Sequence, residues 1–417
     1  MRILKMDGVY PSHSAPSMVG STCADQFRWS SRLGRFSLMS YDFEEIVRGQ
    51  KMSNPRYAKL VQGLPATVPF IGPETQERDR GSAFDARLGA NENIFGPSPK
   101  AIAALNTAAS DIWMYGDPTS FDLRQALSTH LGCAMGNVVV GEGIDGLLGY
   151  LVRLLVDAGD HVVTSDGAYP TFNYHVAGYG GTLHKVPYKD DKEDLPALLA
   201  KAAEVDAKLV YFANPDNPMG SWTTGAEIEA ALNDIPSGTM LLLDEAYVEF
   251  APTDAVPSID IEDPRVIRMR TFSKAYGMAG ARVGYAFGAT ELITSFENIR
   301  NHFGMNRAAQ TAAIAALHDV SWLRKTIADV EASRQAIAQI AADNDLVALP
   351  SATNFVTIHC GRDGDYARRI LDSLVAQGVF VRMPFVAPQD RCIRISAGRE
   401  QDLEFVAAAL PKALADA

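Results

Sequence analysis

The sequence has little that would tie it to a membrane, a nucleic acid or a metal. No apolar run approaches the ~20 residues that a bilayer span needs. Cysteine is sparse and scattered, with four in 417 residues (Cys23, Cys133, Cys360, Cys392). Their spacing gives neither a metal-ligand pattern nor a disulfide framework, so no metal is expected and a reducing cytoplasm suits the chain. Positive charge is in deficit, with 38 Lys and Arg against 50 Asp and Glu and a formal net charge of −12. No Lys/Arg run forms a stripe, and nucleic acid is excluded as a partner on that ground. Residues 1–51 lack hydrophobic periodicity and the apolar core of about 7–15 residues that a secretory signal requires. That segment is expected to be a poorly ordered extension, or a mis-assigned start with Met52 as the alternative, and a regulatory arm is the other reading.

What is present is enough apolar material for a large core: 47% of the residues are hydrophobic. Size alone suggests about two domains. Residues 52–96 mix polar residues with several prolines and read as an arm. From 97 onward, helical and strand patterns alternate. Helices are predicted near Lys100–Ser110, Ser120–Leu131, 145–158, 194–204, 225–234, Ala308–Leu317 and Trp322–Asp343. Strands are predicted near His161–Ser165, Thr182–Pro187, Lys208–Ala213, Met240–Leu243, Val266–Met269 and Ala281–Phe287. This alternation predicts an α/β fold: a mainly parallel, mixed sheet sandwiched by helices over 97–318. A small C-terminal α/β domain follows over 319–417, entered through the long helix at 322–343.

Four segments carry chemistry. In Thr271-Phe-Ser-Lys-Ala-Tyr-Gly-Met-Ala-Gly-Ala-Arg282, a lysine sits on a turn of small residues between two strand-like runs. Lys274 alone reads as a solvated surface lysine. Beside hydroxyls and an arginine, it suits a Schiff base with a phosphate-bearing aldehyde, pyridoxal phosphate. Met240-Leu-Leu-Leu-Asp244-Glu-Ala-Tyr247 runs a buried strand into an acid at its carboxyl edge, where open α/β sheets bind ligands. A carboxylate there keeps the cofactor's ring nitrogen protonated, and Tyr247 is placed to reach the ring's 3′-oxygen. The plainer reading is a helix-capping aspartate and a core tyrosine. Lys208-Leu-Val-Tyr-Phe-Ala-Asn-Pro-Asp-Asn217 again runs a strand into a Pro/Asn loop, and Asn217 can donate to the same oxygen or serve only the turn. In Val138-Val-Val-Gly-Glu-Gly143-Ile144-Asp145-Gly146, a strand passes through glycine into a helix, whose free N–H groups make a phosphate site. Many such turns bind nothing.

Together, in this order, the segments resemble the fold-type I pyridoxal-phosphate-dependent aminotransferases of class I/II, and within them the histidinol-phosphate aminotransferase branch. The likeness covers about residues 65–410. Asn217, Asp244, Tyr247, Lys274 and Arg282 follow at intervals of 27, 3, 27 and 8, which are similar to that branch's. The runs Asn91-Glu-Asn-Ile-Phe-Gly-Pro-Ser-Pro99 and Ile393-Arg-Ile-Ser-Ala-Gly-Arg-Glu400 look like it too. The resemblance implies catalytic roles for Lys274, Asp244 and Tyr247. It implies that Tyr169 stacks on the cofactor ring, and that Thr271, Ser273 and Arg282, with Gly143, Ile144 and Asp145, hold its phosphate. It makes Tyr115 a residue that crosses to the neighbouring subunit's phosphate, in a homodimer with composite sites. It makes Arg394 the grip on the substrate's α-carboxylate, and gives Arg382 and Asn93 to the substrate, Arg382 as a phosphate reader. The implied reaction moves an amino group from L-histidinol phosphate to 2-oxoglutarate by a ping-pong route.

Two departures weaken that donor. The arm carries Pro69-Phe70 where the family's Pro-Tyr pair offers a hydroxyl, and Met383-Pro-Phe-Val386 is greasy for a phosphate site. An aromatic or other amino-acid aminotransferase is the alternative, as is a lyase such as a threonine-phosphate decarboxylase. A cofactor-binding transcription regulator would need a DNA-binding module ahead of residue 52, and none is visible.

Overall fold

Apolar runs without polar alternation become the central strands. Leu209–Ala213 is buried at every position and Met240–Asp244 at all but the first, as expected of strands covered on both faces. The computed structural model describes residues 56–65 and 71–417. The readings made for residues 1–51, for Met52 and for Pro69-Phe70 therefore fall outside the described residues. Tyr57–Ala417 hold together as one unit.

In chain order the strands are β1 (Ala86–Arg87), β2 (Val138–Glu142), β3 (His161–Ser165), β4 (Thr182–Val186), β5 (Leu209–Ala213), β6 (Met240–Asp244), β7 (Val266–Thr271), β8 (Val283–Gly288), β9 (Val347–Ala348), β10 (Phe355–His359), β11 (Val379–Phe380) and β12 (Cys392–Ser396). The main sheet has seven strands in the order β2-β8-β7-β6-β5-β3-β4. Only β8 runs against its neighbours, antiparallel to both β2 and β7. The expected mixed, mainly parallel sheet is present.

Alternate residues of each strand feed opposite faces. Tyr211, Leu242, Ile267 and Ala286 pack under the helices Gly143–Leu155 and Pro170–Tyr179. Val210, Phe212, Leu241 and Leu243 pack under Leu195–Val205 and Gly225–Ala231. At the β2/β8 end that second face is covered by Pro99–Ala108, Phe121–Leu131 and Arg307–Leu317. The Gly143–Leu155 helix buries Ile144, Leu147, Leu148, Leu151 and Val152, a stripe at helical spacing. Each such fully buried side chain contributes roughly 1.5–3 kcal/mol.

A second core lies around the antiparallel sheet β12-β10-β9 and the parallel pair β1/β11. Val330 of the long helix Val320–Ala342 joins the first core, and Ile337 and Ala341 join the second. The strand-helix-strand-strand-helix pattern over 345–417 is present, with β9 and β10 together ahead of the helix. The Pro170–Tyr179 helix was not foreseen; Pro170 stands at its first turn, where the missing N–H costs nothing. No described helix is long and apolar enough to cross a membrane.

Candidate active site

The topology gathers the expected residues at one edge. The loop after β6 carries Asp244 and Tyr247, the loop after β5 carries Asn217, and the loop after β3 carries Tyr169. Because β8 is antiparallel, its N-terminal end meets the carboxyl ends of β7 and β2: Gly284 pairs with Thr271 on one side and with Gly141 on the other. The turn that joins β7 to β8 holds Ser273, Lys274 and Arg282, and so comes to lie beside the helix that begins at Gly143. A cavity of about 370 Å³ lies there. Its walls include Ile144, Asp145, Tyr169, Asn217, Asp244, Tyr247, Thr271, Ser273, Lys274, Arg282, Arg382 and Arg394.

At the anion-binding end, Arg282 bonds Asp145 at 3.1 Å and reaches the Ser273 hydroxyl at 3.5 Å. Ser273 also accepts from the Thr271 hydroxyl at 2.9 Å, and its N–H donates to Thr271 Oγ1 at 3.0 Å. Gly143 has φ +77°, and a Cβ there would stand 2.5 Å from Arg282 Nη2. The left-handed backbone favours glycine, and any side chain there would push the Arg282 guanidinium out of its place. The result is a cradle of backbone N–H groups at the start of a 13-residue helix, two hydroxyls and a guanidinium. Its donors fit a phosphate.

Asp244 sits deep in the opposite wall, buried to 4% exposure. It accepts from the Tyr211 hydroxyl at 2.6 Å and from the Ala246 N–H at 2.9 Å. Burial still pushes its carboxyl up to about 6, since those two bonds offset only part of the desolvation. A cation placed against it would relieve that cost. Tyr211 was not singled out from sequence. Its position two residues before the end of β5, on the same face as Asp244, is the signal that would have found it.

Lys274 Nζ lies 5.5 Å from the Tyr247 ring centre and donates to the Asn91 carbonyl at 3.1 Å. Asn91 is a second residue that the sequence reading missed. It takes φ +54°, donates its amide to the Tyr247 hydroxyl at 3.0 Å, and accepts from the Ser396 hydroxyl at 3.1 Å. Asn93, expected at the substrate, is not in the cavity wall. Its amide donates to the Lys274 and Ala275 carbonyls at 3.0 and 3.2 Å, so it braces the lysine turn from behind. With both donated bonds spent on that backbone, its amide is directed away from the cavity. Tyr169 donates to Asp145 at 2.8 Å; burial and that carboxylate raise its phenol.

At the open side, Arg394 donates to the Asn217 side-chain carbonyl and to the Gly89 carbonyl, and its guanidinium lies 5.1 Å from the Phe355 ring centre. Burial lowers its pKa to about 10. Arg382 is bridged to Arg394 through the backbone and donates to the Ile71 carbonyl at 2.6 Å. Two guanidiniums thus share one wall, next to Met383 and the exposed Phe385. Tyr115 lies away from this cavity, 79% exposed, with its ring 5.0 Å from that of Phe303. Among the described residues, no group of three or more His, Cys, Asp or Glu is gathered as for a metal.

A half-buried amine at the carboxyl edge of a mixed sheet, an acid opposite it and a phosphate cradle beside it define a fold-type I transferase. The family model of aminotransferase class I and II matches residues 86–410, and the chain belongs to that family, in its histidinol-phosphate aminotransferase branch. It is 34% identical over 362 residues to a histidinol-phosphate aminotransferase of Anaeromyxobacter sp. (strain Fw109-5), covering 85% of this chain and 98% of that one. It is 33% identical over 344 residues to histidinol-phosphate aminotransferase 2 of Carboxydothermus hydrogenoformans, covering 82% of this chain and 94% of that one. Among solved structures, histidinol-phosphate aminotransferase from Sinorhizobium meliloti, in complex with pyridoxal-5′-phosphate, matches with TM-score 0.84 and 53% identity over 86% of this chain and 98% of that one. An aspartate aminotransferase variant of Thermus thermophilus shares the fold at TM-score 0.72 and 20% identity, covering 86% of this chain and all of that one.

Proposed function

We propose that this transaminase takes L-histidinol phosphate as amino donor and 2-oxoglutarate as acceptor, with pyridoxal 5′-phosphate as its cofactor. The observation that carries the donor is the paired guanidiniums of Arg394 and Arg382 in one wall of the cavity. L-Histidinol phosphate bears a phosphate ester where an amino acid bears its carboxylate. Two cationic forks suit a phosphate better than they suit one carboxylate. Arg394 would then meet the donor's phosphate first and the acceptor's carboxylate second. Sharing one anion site obliges the first product to leave before the second substrate enters, which is a ping-pong order.

When bound, the cofactor supplies a reactive aldehyde and a ring that takes up charge from the substrate's Cα. The protein's part is positional and acid–base. Lys274 Nζ would provide the covalent attachment and, when freed, a base within reach of the proton at Cα. Asp244 would keep a proton on the ring nitrogen. Asn217 and Tyr247 would meet the cofactor's ring oxygen, Tyr169 would pack against the ring, and the Gly143–Asp145 turn with Thr271, Ser273 and Arg282 would hold the phosphate.

A purified-protein screen of one half-reaction tests the donor, following the cofactor's absorbance as each candidate amine is added. L-Histidinol phosphate is expected to exceed free histidinol and phenylalanine by on the order of tenfold or more in kcat/KM, the worth of a charge-assisted contact. Arg382→Met should cost much with the phosphorylated donor and little with the others. Met383 and Phe385 at the same mouth support a second reading, an aromatic donor. Phenylalanine as the better donor, with a ranking indifferent to Arg382→Met, would establish that reading. A lyase acting on a phosphorylated amino acid would instead release carbon dioxide when threonine phosphate is added to the same protein.

The working unit in this proposal is a homodimer with shared sites, residues 97–318 forming the large lobe, 319–417 the small one and 52–96 the arm. Tyr115 supports it: a tyrosine outside its own cavity, 79% exposed, beside the exposed Trp113 and Phe303. Mixing inactive Lys274→Ala with inactive Tyr115→Ala protein should restore activity, because one hybrid site in each mixed dimer is intact. Hybrids that form and stay inactive would show that each subunit is self-sufficient. The setting is the cytoplasm, consistent with the buried free thiols Cys360 and Cys392.

A further inference from the structure

Behind the substrate wall lies a pair of acids with no part in the chemistry above. Glu193 follows β4 and Asp216 lies in the loop after β5; both are buried, at 6% and 1% exposure. Their carboxyl groups hydrogen-bond to each other. Two carboxylates cannot form that bond; one must keep a proton. The surroundings supply donors only. Ser165, at the end of β3, donates to Glu193 at 2.8 Å, and the Ala213 N–H donates to it at 3.4 Å. Tyr188 donates to Asp216 at 2.8 Å, and the Met219 N–H donates to it at 3.0 Å. Arg394 is the cation that faces the pair, while Asp166 and Tyr211 are the next titratable groups around it.

Asp216 is the residue before Asn217, whose carbonyl receives Arg394. The loop between them is held from the other side too. The Pro218 carbonyl accepts from Thr357 at 2.8 Å, and the Gly220 carbonyl accepts from the Ala352 N–H at 2.9 Å. The acid pair is thus the anchor on the side facing β3 and β5, and Arg394 with β10 is the anchor on the other. We propose that Glu193 and Asp216 are positioning residues for the Asn217–Arg394 clamp, and that their shared proton sets how well the clamp holds an anionic substrate. With the proton in place, the loop is tied and one negative charge balances Arg394. Without it, the bond between the acids is lost and a second buried negative charge opposes the incoming anion. Burial raises both carboxyls, Asp216 to about 6 and Glu193 well above the usual range, so the shared proton is held to a higher pH than a free carboxyl would hold it.

This inference rests on the reading of Arg394 as the substrate's anion clamp. Its test is the pH profile of KM and kcat for 2-oxoglutarate in the holoenzyme, between about pH 6 and 8.5, where that substrate does not titrate. Wild-type KM is expected to rise on the order of tenfold with pH, and kcat to change much less. Glu193→Gln keeps a donor to Asp216 that has no proton to lose, so its KM should stay at the wild type's acid value throughout. Glu193→Leu removes the bond without adding a charge, so its KM should lie above the wild type's acid value and not vary with pH, with kcat again held. A wild-type KM that is flat, or a Glu193→Gln profile that follows the wild type's, overturns the proposal even if Glu193→Leu fails to fold. Failure of the transaminase reading itself is distinguishable, because the wild type would then turn over no amine–oxo acid pair.

Discussion

Lys274→Ala is expected to abolish turnover, by about 10⁴-fold or more, while leaving the protein folded. In the proposed mechanism the lysine supplies both the covalent attachment and the mobile base, and nothing else in the cavity wall offers an amine. The fold loses little. In this structure Nζ makes one hydrogen bond, to the Asn91 carbonyl, which also accepts from Asn354 at 3.0 Å. No buried acceptor is orphaned by the change, so the melting temperature should move by a few degrees at most. Borohydride reduction of the wild type should fix the cofactor on the peptide containing Lys274 and leave the variant unlabelled. Label on another lysine would remove the assignment. A variant that fails to fold would show that the lysine turn depends on more than its braces at Asn93.

That Lys274 was legible in sequence, and its supports were not, has a physical cause. Strands such as Leu209–Ala213 and Met240–Asp244 announce themselves because both faces are buried, so hydrophobicity runs unbroken and a polar residue marks where each ends. The acid, the lysine and the glycine turn sit at those ends, and the eye is led to them. The strands' relative direction leaves no such trace. Nothing in Val283–Gly288 says that it runs backwards, yet that reversal is what brings Arg282 beside Gly143. Hydrogen-bond partners across the fold are hidden for the same reason. Tyr211 reads as one more apolar strand residue until the sheet places it next to Asp244. Asn91 and Asn93 are two residues apart in one motif. Only the left-handed φ at Asn91 decides that the first faces Tyr247, and only the Lys274 turn decides that the second binds backbone. Glu193 and Asp216 are 23 residues apart and look like ordinary loop acids until the carboxyl edge closes over both.

Asp244→Asn is expected to move stability and activity in opposite directions. In the protein stripped of cofactor, the Asp244 carboxyl is raised from 3.8 to about 6 by burial. A raised acid carries no penalty below its unfolded pKa, and the full penalty above its folded one. Two units correspond to roughly 2–3 kcal/mol. The neutral amide avoids that cost while keeping the shape, with its oxygen able to accept from the Ala246 N–H and its NH₂ able to meet the Tyr211 oxygen. Cofactor-free Asp244→Asn should therefore be more stable than cofactor-free wild type at pH 7.5, and the difference should vanish as pH falls through 6 towards 4. With cofactor bound the order should reverse, because the wild-type carboxylate would then meet a protonated ring nitrogen. The variant still holds the cofactor through Lys274 and the phosphate cradle, but no longer keeps that proton in place as charge develops at Cα. Loss of one such preorganised contact lowers kcat by about 10²–10³-fold. Thermal melts of both cofactor-free proteins across pH, with single-turnover rates of the loaded forms, read the two effects separately. A variant of normal kcat would make Asp244 a structural acid. A variant less stable than wild type at pH 7.5 would show that its bonds to Tyr211 and Ala246 outweigh the cost of burying its charge.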